Sequence, residues 1–222
     1  MTEKIIKLFI FGDSIGYGQL VSHHKTWAAK LSEKLSKSIK KNSFVIQNAS
    51  VNGNTTRQAL ERMTYDVTSH SPDILLIQFG MNDCNYWASD FGSPRVSKKA
   101  FSANLIEIIE KAINSNIRHI FLNTNHPSLK SGIDHINGLT HTDSNREYNE
   151  VTRETFNEVS SHYSVTLIDI EAEFERELDA NINIKLSDLL LQDGIHLSEE
   201  GHKLYFKIIE PIVLNQIKRI SN

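Results

Sequence analysis

The chain has 222 residues, enough for one domain that hides roughly 70% of its extended surface on folding. Its 39% hydrophobic and 23% charged residues exclude a disordered or collagen-like polymer. With 24 basic against 27 acidic side chains the net charge is -3, which gives no general attraction to polyanions and argues against nucleic acid as a partner.

In chain order, the first apolar run is Ile5 to Phe11, broken by Lys7 and followed at once by Gly12-Asp13-Ser14. It is too short for a signal sequence, and no apolar run approaches the ~20 residues that cross a bilayer, so no membrane span and a cytoplasmic location are expected. Further β-branched-rich runs recur at Phe44 to Gln47, Ile74 to Phe79, Ile117 to Leu122 and Val165 to Ile170, which makes five predicted buried strands. Between them Trp27, Leu31, Leu35 and Ile39 share a helical face, as do Ala59, Met63 and Val67, and Phe101, Leu105, Ile108 and Ala112. Alternating strands and crossover helices predict a parallel sheet covered on both faces, a three-layer α/β/α sandwich forming a single domain over 1–222.

Asn123 to Thr142 holds Pro127, Gly132, Gly138 and the histidines His126, His135 and His141 without periodicity, which predicts a long loop and a pocket wall. A helix is expected from a cap at Asp143 or Ser144 toward His162, and a last one after Ser198, kinked or broken at Pro211. Residues 1–41 are strongly basic and 171–200 strongly acidic. Lys30, Lys34, Lys37 and Lys41 lie opposite the Trp27/Leu31/Leu35 face and read as a solvated surface.

Functional loops in such a sheet sit at the strand carboxyl ends. Ser14 follows the first strand, with Gly16 and Gly18 giving the turn unusual backbone freedom; the same segment also fits a helix cap or a phosphate cradle. Asp193-Gly194-Ile195-His196 sets an acid three residues before a histidine, the pair that orients and charges an imidazole beside a serine. Taken singly, a histidine packed in the loop ahead of the Ser198 cap explains it better. Gly53 follows the second strand and Asn82 the third; a backbone N–H and a carboxamide there suit a developing oxyanion, although a turn glycine and an Asx turn explain each alone.

Four blocks in order, Phe11-Gly12-Asp13-Ser14-Ile15-Gly16-Tyr17-Gly18, Asn48 to Gly53, Gly80-Met81-Asn82-Asp83 and Asp193-Gly194-Ile195-His196, make the chain resemble the SGNH hydrolases, or GDSL esterase/lipase family, over nearly its whole length. Ile15 stands where the family name has leucine. The resemblance implies a flavodoxin-like sandwich around a five-stranded parallel sheet. It implies Ser14 as nucleophile, His196 as general base and then acid, and Asp193 as its orienting carboxylate, with Ser14 N–H, Gly53 N–H and the Asn82 side chain as oxyanion donors. No metal or cofactor is expected, and Asp13 and Asp83 read as loop-shaping.

The expected activity is hydrolysis of a small-molecule ester through an acyl-enzyme. Asn85, Tyr86 and Trp87 directly follow the Asn82 block, and Asn125 and His126 follow the fourth strand beside Asn123, so these are the expected substrate contacts. With no long apolar lid in the sequence, a short acyl group such as acetyl on a carbohydrate is favoured. Thioesterase, lysophospholipase and acyltransferase chemistry would use the same residues, and a non-enzymatic flavodoxin-like module holding a phosphorylated ligand is the rival of another class. Cys84, the single cysteine, excludes a disulfide framework and a cysteine-built zinc site, and reads as a small residue at a strand end rather than a nucleophile. The sequence leaves the oligomeric state open.

Overall fold

The structure is a computed structural model that describes residues 5–39, 44–130 and 138–221. Lys41, Gly132 and His135 lie outside the described residues. Five strands, β1 (Ile6–Gly12), β2 (Phe44–Asn48), β3 (Ile74–Gln78), β4 (His119–Asn123) and β5 (Val165–Ile168), form one parallel sheet in the order β2-β1-β3-β4-β5. The period of two along each strand divides the apolar residues between two cores. Ile6, Leu8 and Ile10 face one side of β1, and Phe9 and Phe11 the other.

The first core is closed by α2 (Trp27–Ser38), α6 (Ile170–Ala180), α7 (Leu186–Leu189) and α8 (Glu199–Ser221), through Trp27, Leu31, Leu35, Phe174, Leu189 and Tyr205 among others. The second is closed by α3 (Thr56–Asp66), α4 (Lys98–Asn114) and α5 (His141–Val159), through Met63, Phe101, Leu105, Ile108 and Tyr148. This is the expected three-layer sandwich, and the three periodic helix faces are buried as expected, Ile39 partly. The remaining helix, α1 (Ser14–Tyr17), is a single turn after β1. Lys34 and Lys37 are exposed and pair with Glu210 and Glu33, which fits a solvated face. Among the described residues no helix is long and apolar enough to cross a membrane.

Three local expectations are corrected. The cap of α5 is Thr140, not Asp143 or Ser144: Thr140 Oγ1 accepts from Asp143 N–H at 3.1 Å while Asp143 returns a bond to Thr140 N–H at 3.0 Å, a reciprocal capping box. The fifth strand stops at Ile168, because Asp169 caps α6 by accepting from Ala172 N–H. Pro211 does not end α8. Its ring and the Lys207 turn it disrupts are both exposed, so water can serve the freed carbonyl, while buried Ile209, Val213 and Ile217 hold the helix to the sheet on either side.

The chain moves from β1 outward to β2 and then returns to β3 on the opposite side of β1. That reversal opens a crevice at the carboxyl ends of β1 and β3, where ligands bind in open α/β sheets.

Candidate active site

At the end of β1, Asp13 leaves the strand and its Oδ1 accepts from Ile15 N–H at 2.9 Å, which starts α1. Of the two glycines in this turn only Gly18 needs positive φ, at +81°. Gly16 is helical, and its lack of Cβ admits Ser50 Oγ, which a Cβ would meet at 2.3 Å. Ser14 is thereby fixed at the first position of α1, 5% exposed at the crevice.

Its partner comes from the segment before α8. Asp193 Oδ1 accepts from the N–H groups of Ile195 and His196 at 2.9 and 3.0 Å, folding four residues into a turn that sets both side chains on one side. The turn is anchored by Leu191 N–H on His196 C=O and by Leu129 N–H on Gly194 C=O, each at 2.7 Å. His196 Nδ1 lies 2.6 Å from Asp193 Oδ2, and Nε2 lies 2.9 Å from Ser14 Oγ. A carboxylate can only accept here, so the proton of the neutral ring belongs on Nδ1 and the bare Nε2 faces the serine hydroxyl. Partial burial acts to raise the Asp193 carboxyl, but the His196 ring and the two N–H groups outweigh it and hold the group below its ordinary value. It therefore stays ionised to orient the imidazole.

Asn82 and Gly53 lie on the loops after β3 and β2. The Asn82 Nδ2 group donates to Asp13 Oδ2 at 3.2 Å, which ties the third block to the first. Gly53 C=O accepts from Arg95 Nη1 at 3.0 Å, and Asn54 Oδ1 from Arg62 Nε at 2.5 Å. Buried Asp83 accepts from Thr56 N–H and Oγ1 at 2.9 and 2.5 Å, locking the two loops to each other. Neither Ser14 N–H nor Gly53 N–H is engaged by a protein acceptor among the described residues. Burial pushes Asp13 up to about 7 and Asp83 up to about 6, against the hydrogen bonds they accept. The arrangement can move a proton from a serine to a histidine and offer neutral N–H donors to an anion.

Arg62 and Arg95 are the residues that sequence reasoning missed. Besides Asn54, Arg62 donates to Ala49 C=O at 2.6 Å and Gly12 C=O at 3.1 Å, with its guanidinium 4.4 Å from the Phe11 ring centroid. A single arginine beside the apolar face of a helix carries no pattern that announces such a clamp.

Of the expected substrate contacts, Asn85 and Tyr86 are half-buried and Trp87 is 59% exposed, with the Arg95 guanidinium 5.3 Å from its ring. Asn125 and His126 are corrected: they are interior residues, 2% and 0% exposed. The Asn125 side chain is held between Gln78 Nε2 at 2.7 Å and Phe79 C=O at 3.2 Å, and its backbone by the Asn149 amide. His126 bonds Pro127 C=O and stacks on Phe174, and burial pulls it down to about 4, so it stays neutral. Cys84 Sγ lies 3.8 Å from His141 Nε2, but both are turned to Met81 C=O, and burial raises the thiol far above its ordinary range, which leaves it unreactive. Among the described residues no three His, Cys, Asp or Glu side chains converge to hold a metal ion.

Over 219 residues the chain is 26% identical to the uncharacterized lipoprotein YqeF of Bacillus subtilis strain 168, covering 90% of this chain and 86% of that protein. An arylesterase of Vibrio mimicus is 32% identical over 77 residues, 35% of this chain and 38% of the enzyme. The fold is similar to the crystal structure of the acetyl xylan esterase AlAXEase, with a TM-score of 0.75 at 24% identity over 94% of this chain and 100% of that one. Residues 10–204 match the profile of the GDSL-like Lipase/Acylhydrolase family, and with the four blocks meeting at one crevice, the chain belongs to that family.

Proposed function

We propose that this ester hydrolase works through an acyl-enzyme on Ser14 and acts on short acyl esters, O-acetylated carbohydrates being the substrate class. His196 Nε2 takes the Ser14 proton as Oγ attacks the ester carbonyl. The resulting oxyanion is met by Ser14 N–H, Gly53 N–H and the Asn82 amide, and the protonated His196 returns its proton to the leaving alcohol. Water, deprotonated by the same ring, then attacks the acyl-serine, and collapse of the second tetrahedral intermediate frees the acid as His196 returns that proton to Ser14 Oγ. Asp193 keeps the ring in the tautomer that both steps need. The observation that carries this reading is the continuous pair of hydrogen bonds, 2.6 and 2.9 Å, from Asp193 through His196 to Ser14.

The substrate class rests on the surroundings. Trp87 presents an exposed aromatic face on the loop after Asn82, backed by Arg95, a combination that suits a sugar ring. A cleft of about 450 Å³ beside Asp193 mixes Leu129 and Leu191 with Lys130, Ser187 and Gln192, a poor lining for a long alkyl chain. The likeness to an acetyl xylan esterase points the same way. A phosphate cradle at 12–18 is disfavoured, because α1 is one turn long and the Asp13 carboxyl already occupies its Ile15 N–H.

The test is the acyl-length series of p-nitrophenyl acetate, butyrate and octanoate, together with acetic acid release from an acetylated xylo-oligosaccharide. The reading expects kcat/KM to fall along the series and the sugar acetate to be cleaved. A rise toward octanoate, or transfer to an added alcohol outrunning hydrolysis, would replace it with the lysophospholipase or acyltransferase alternative.

A further inference from the structure

Asp13 is completely buried, and among the described residues no lysine, arginine or histidine pairs with it. Its partners are all neutral: Oδ1 takes Ile15 N–H at 2.9 Å, Oδ2 takes Asn82 Nδ2 at 3.2 Å, and the Gln78 carboxamide lies beside the carboxylate as a further hydrogen-bonding group. The second of these is the one hydrogen bond that the Asn82 side chain makes among the described residues. This matters because a carboxamide is nearly symmetric in shape. Half a turn about its last torsion exchanges an NH₂ for a C=O, and hydrogen-bond partners decide which end points where.

An ionised carboxylate only accepts, so Asn82 must present its NH₂ to Asp13. One hydrogen is spent there, and the second, on the same nitrogen, is left for an oxyanion. The Ile15 bond completes the logic. A backbone N–H at the start of a helix cannot turn away, so it fixes Oδ1, and with Oδ1 fixed, Oδ2 is the oxygen that meets Asn82. We propose that Asp13 is the positioning residue of the oxyanion hole, the group that selects the donor orientation of the Asn82 carboxamide. The inference rests on the acyl-enzyme reading above, in which that carboxamide meets the oxyanion.

The isosteric change Asp13→Asn separates this role from a role in shape alone. The new side chain must keep its oxygen on Ile15 N–H, so its NH₂ faces Asn82. Two donors then oppose each other, and Asn82 relieves the conflict by turning its oxygen toward position 13, which removes the donor from its place. Steady-state hydrolysis of p-nitrophenyl acetate is measured at pH 8, above the value of about 7 to which burial pushes Asp13, for wild type, Asn82→Ala, Asp13→Asn and the double variant.

Asn82→Ala is expected to lower kcat on the order of 10²–10³-fold, as loss of an oxyanion donor does. Asp13→Asn should lower kcat at least as far with KM changed less than about threefold, and the double variant should be no slower than Asn82→Ala alone, because both changes remove one interaction. If Asp13→Asn does not fold, Asp13→Ser serves: it retains a helix cap for Ile15 N–H but lacks the second acceptor, and should bring kcat down to the Asn82→Ala level. The proposal is overturned if either Asp13 variant keeps kcat within about threefold of wild type while Asn82→Ala loses its rate, or if the losses multiply in the double variant. Full activity in Asn82→Ala would overturn the oxyanion reading itself and this inference with it.

Discussion

His196 Nε2 stands 2.9 Å from Ser14 Oγ although 182 residues separate them in the chain. The contact exists because β1, between β2 and β3, ends at the point where the strand order reverses, and the turn before α8 is pinned to the same carboxyl edge of the sheet by the Leu129–Gly194 bond. Asp193 is the group that gives this contact its direction. Asp193→Asn should fold normally yet lower kcat by about 10²–10⁴-fold, because an amide in its place can hold the ring in the wrong tautomer and cannot stabilise the imidazolium. Assays of kcat and KM against p-nitrophenyl acetate check this; an unchanged kcat would remove Asp193 from the mechanism.

Arg62 connects stability to the site. Its side chain, 16% exposed, serves the carbonyls of Gly12 and Ala49 and the side chain of Asn54, which joins the ends of β1 and β2 to the Gly53 loop. Arg62→Ala should cost about 2–4 kcal/mol by leaving partly buried acceptors unpaired. Arg62→Lys should recover less than half of that, since an ammonium cannot reproduce the planar fork. Urea denaturation reads both values, and a loss below about 1 kcal/mol for Arg62→Ala would contradict the clamp.

Acid should destabilise the fold. His119, His126, His141 and His202 are each pulled down to about 4 by burial, from an ordinary 6.5. Between pH 6.5 and 4 the unfolded chain binds protons at these four positions that the folded chain refuses, so stability present above pH 6.5 is lost as pH falls. Asp13 and Asp83, held up to about 7 and 6, act in the opposite sense across much of that range, but they are two groups against four. Thermal melts should therefore show a lower midpoint at pH 5 than at pH 7, with a smaller drop in His119→Gln. A flat profile would contradict the sign.

Trp87 tests the substrate class. Its exposed ring touches no core, so Trp87→Ala should leave stability and the kcat for p-nitrophenyl acetate near wild type while raising KM for an acetylated xylo-oligosaccharide several-fold. An unchanged KM for the sugar ester would take Trp87 out of substrate binding.

The strands and the faces of α2, α3 and α4 were legible because they bury apolar residues at regular spacing. The site blocks were legible because residue types with a chemical purpose stand at strand ends. The start of α5 is hard to read in the sequence because the helix buries Asn145, Asn149, Thr152 and Thr155, a polar face that hydrophobic periodicity does not register. α6 was hidden because Ile168 and Ile170 read as one strand across Asp169, whose function as a cap is a matter of backbone geometry. Asn125 and His126 read as substrate contacts because they are polar residues at the end of the fourth strand. Here the loop is buried, and these side chains serve backbone carbonyls, Asn125 that of Phe79 and His126 that of Pro127. The Asp13–Asn82 bond joins the loops that follow two different strands, β1 and β3, and neither residue's neighbours in sequence point to the other.

Every step of the mechanism depends on Ser14 carrying the acyl group. The most direct measurement is hydrolysis of p-nitrophenyl acetate by the wild type and by Ser14→Ala purified identically, with mass spectrometry of each protein after rapid acid quench. The wild type should turn over with a transient acetyl adduct on the peptide containing Ser14, and Ser14→Ala should show neither turnover nor adduct. Equal rates in the two proteins, or an adduct on another residue, would contradict it.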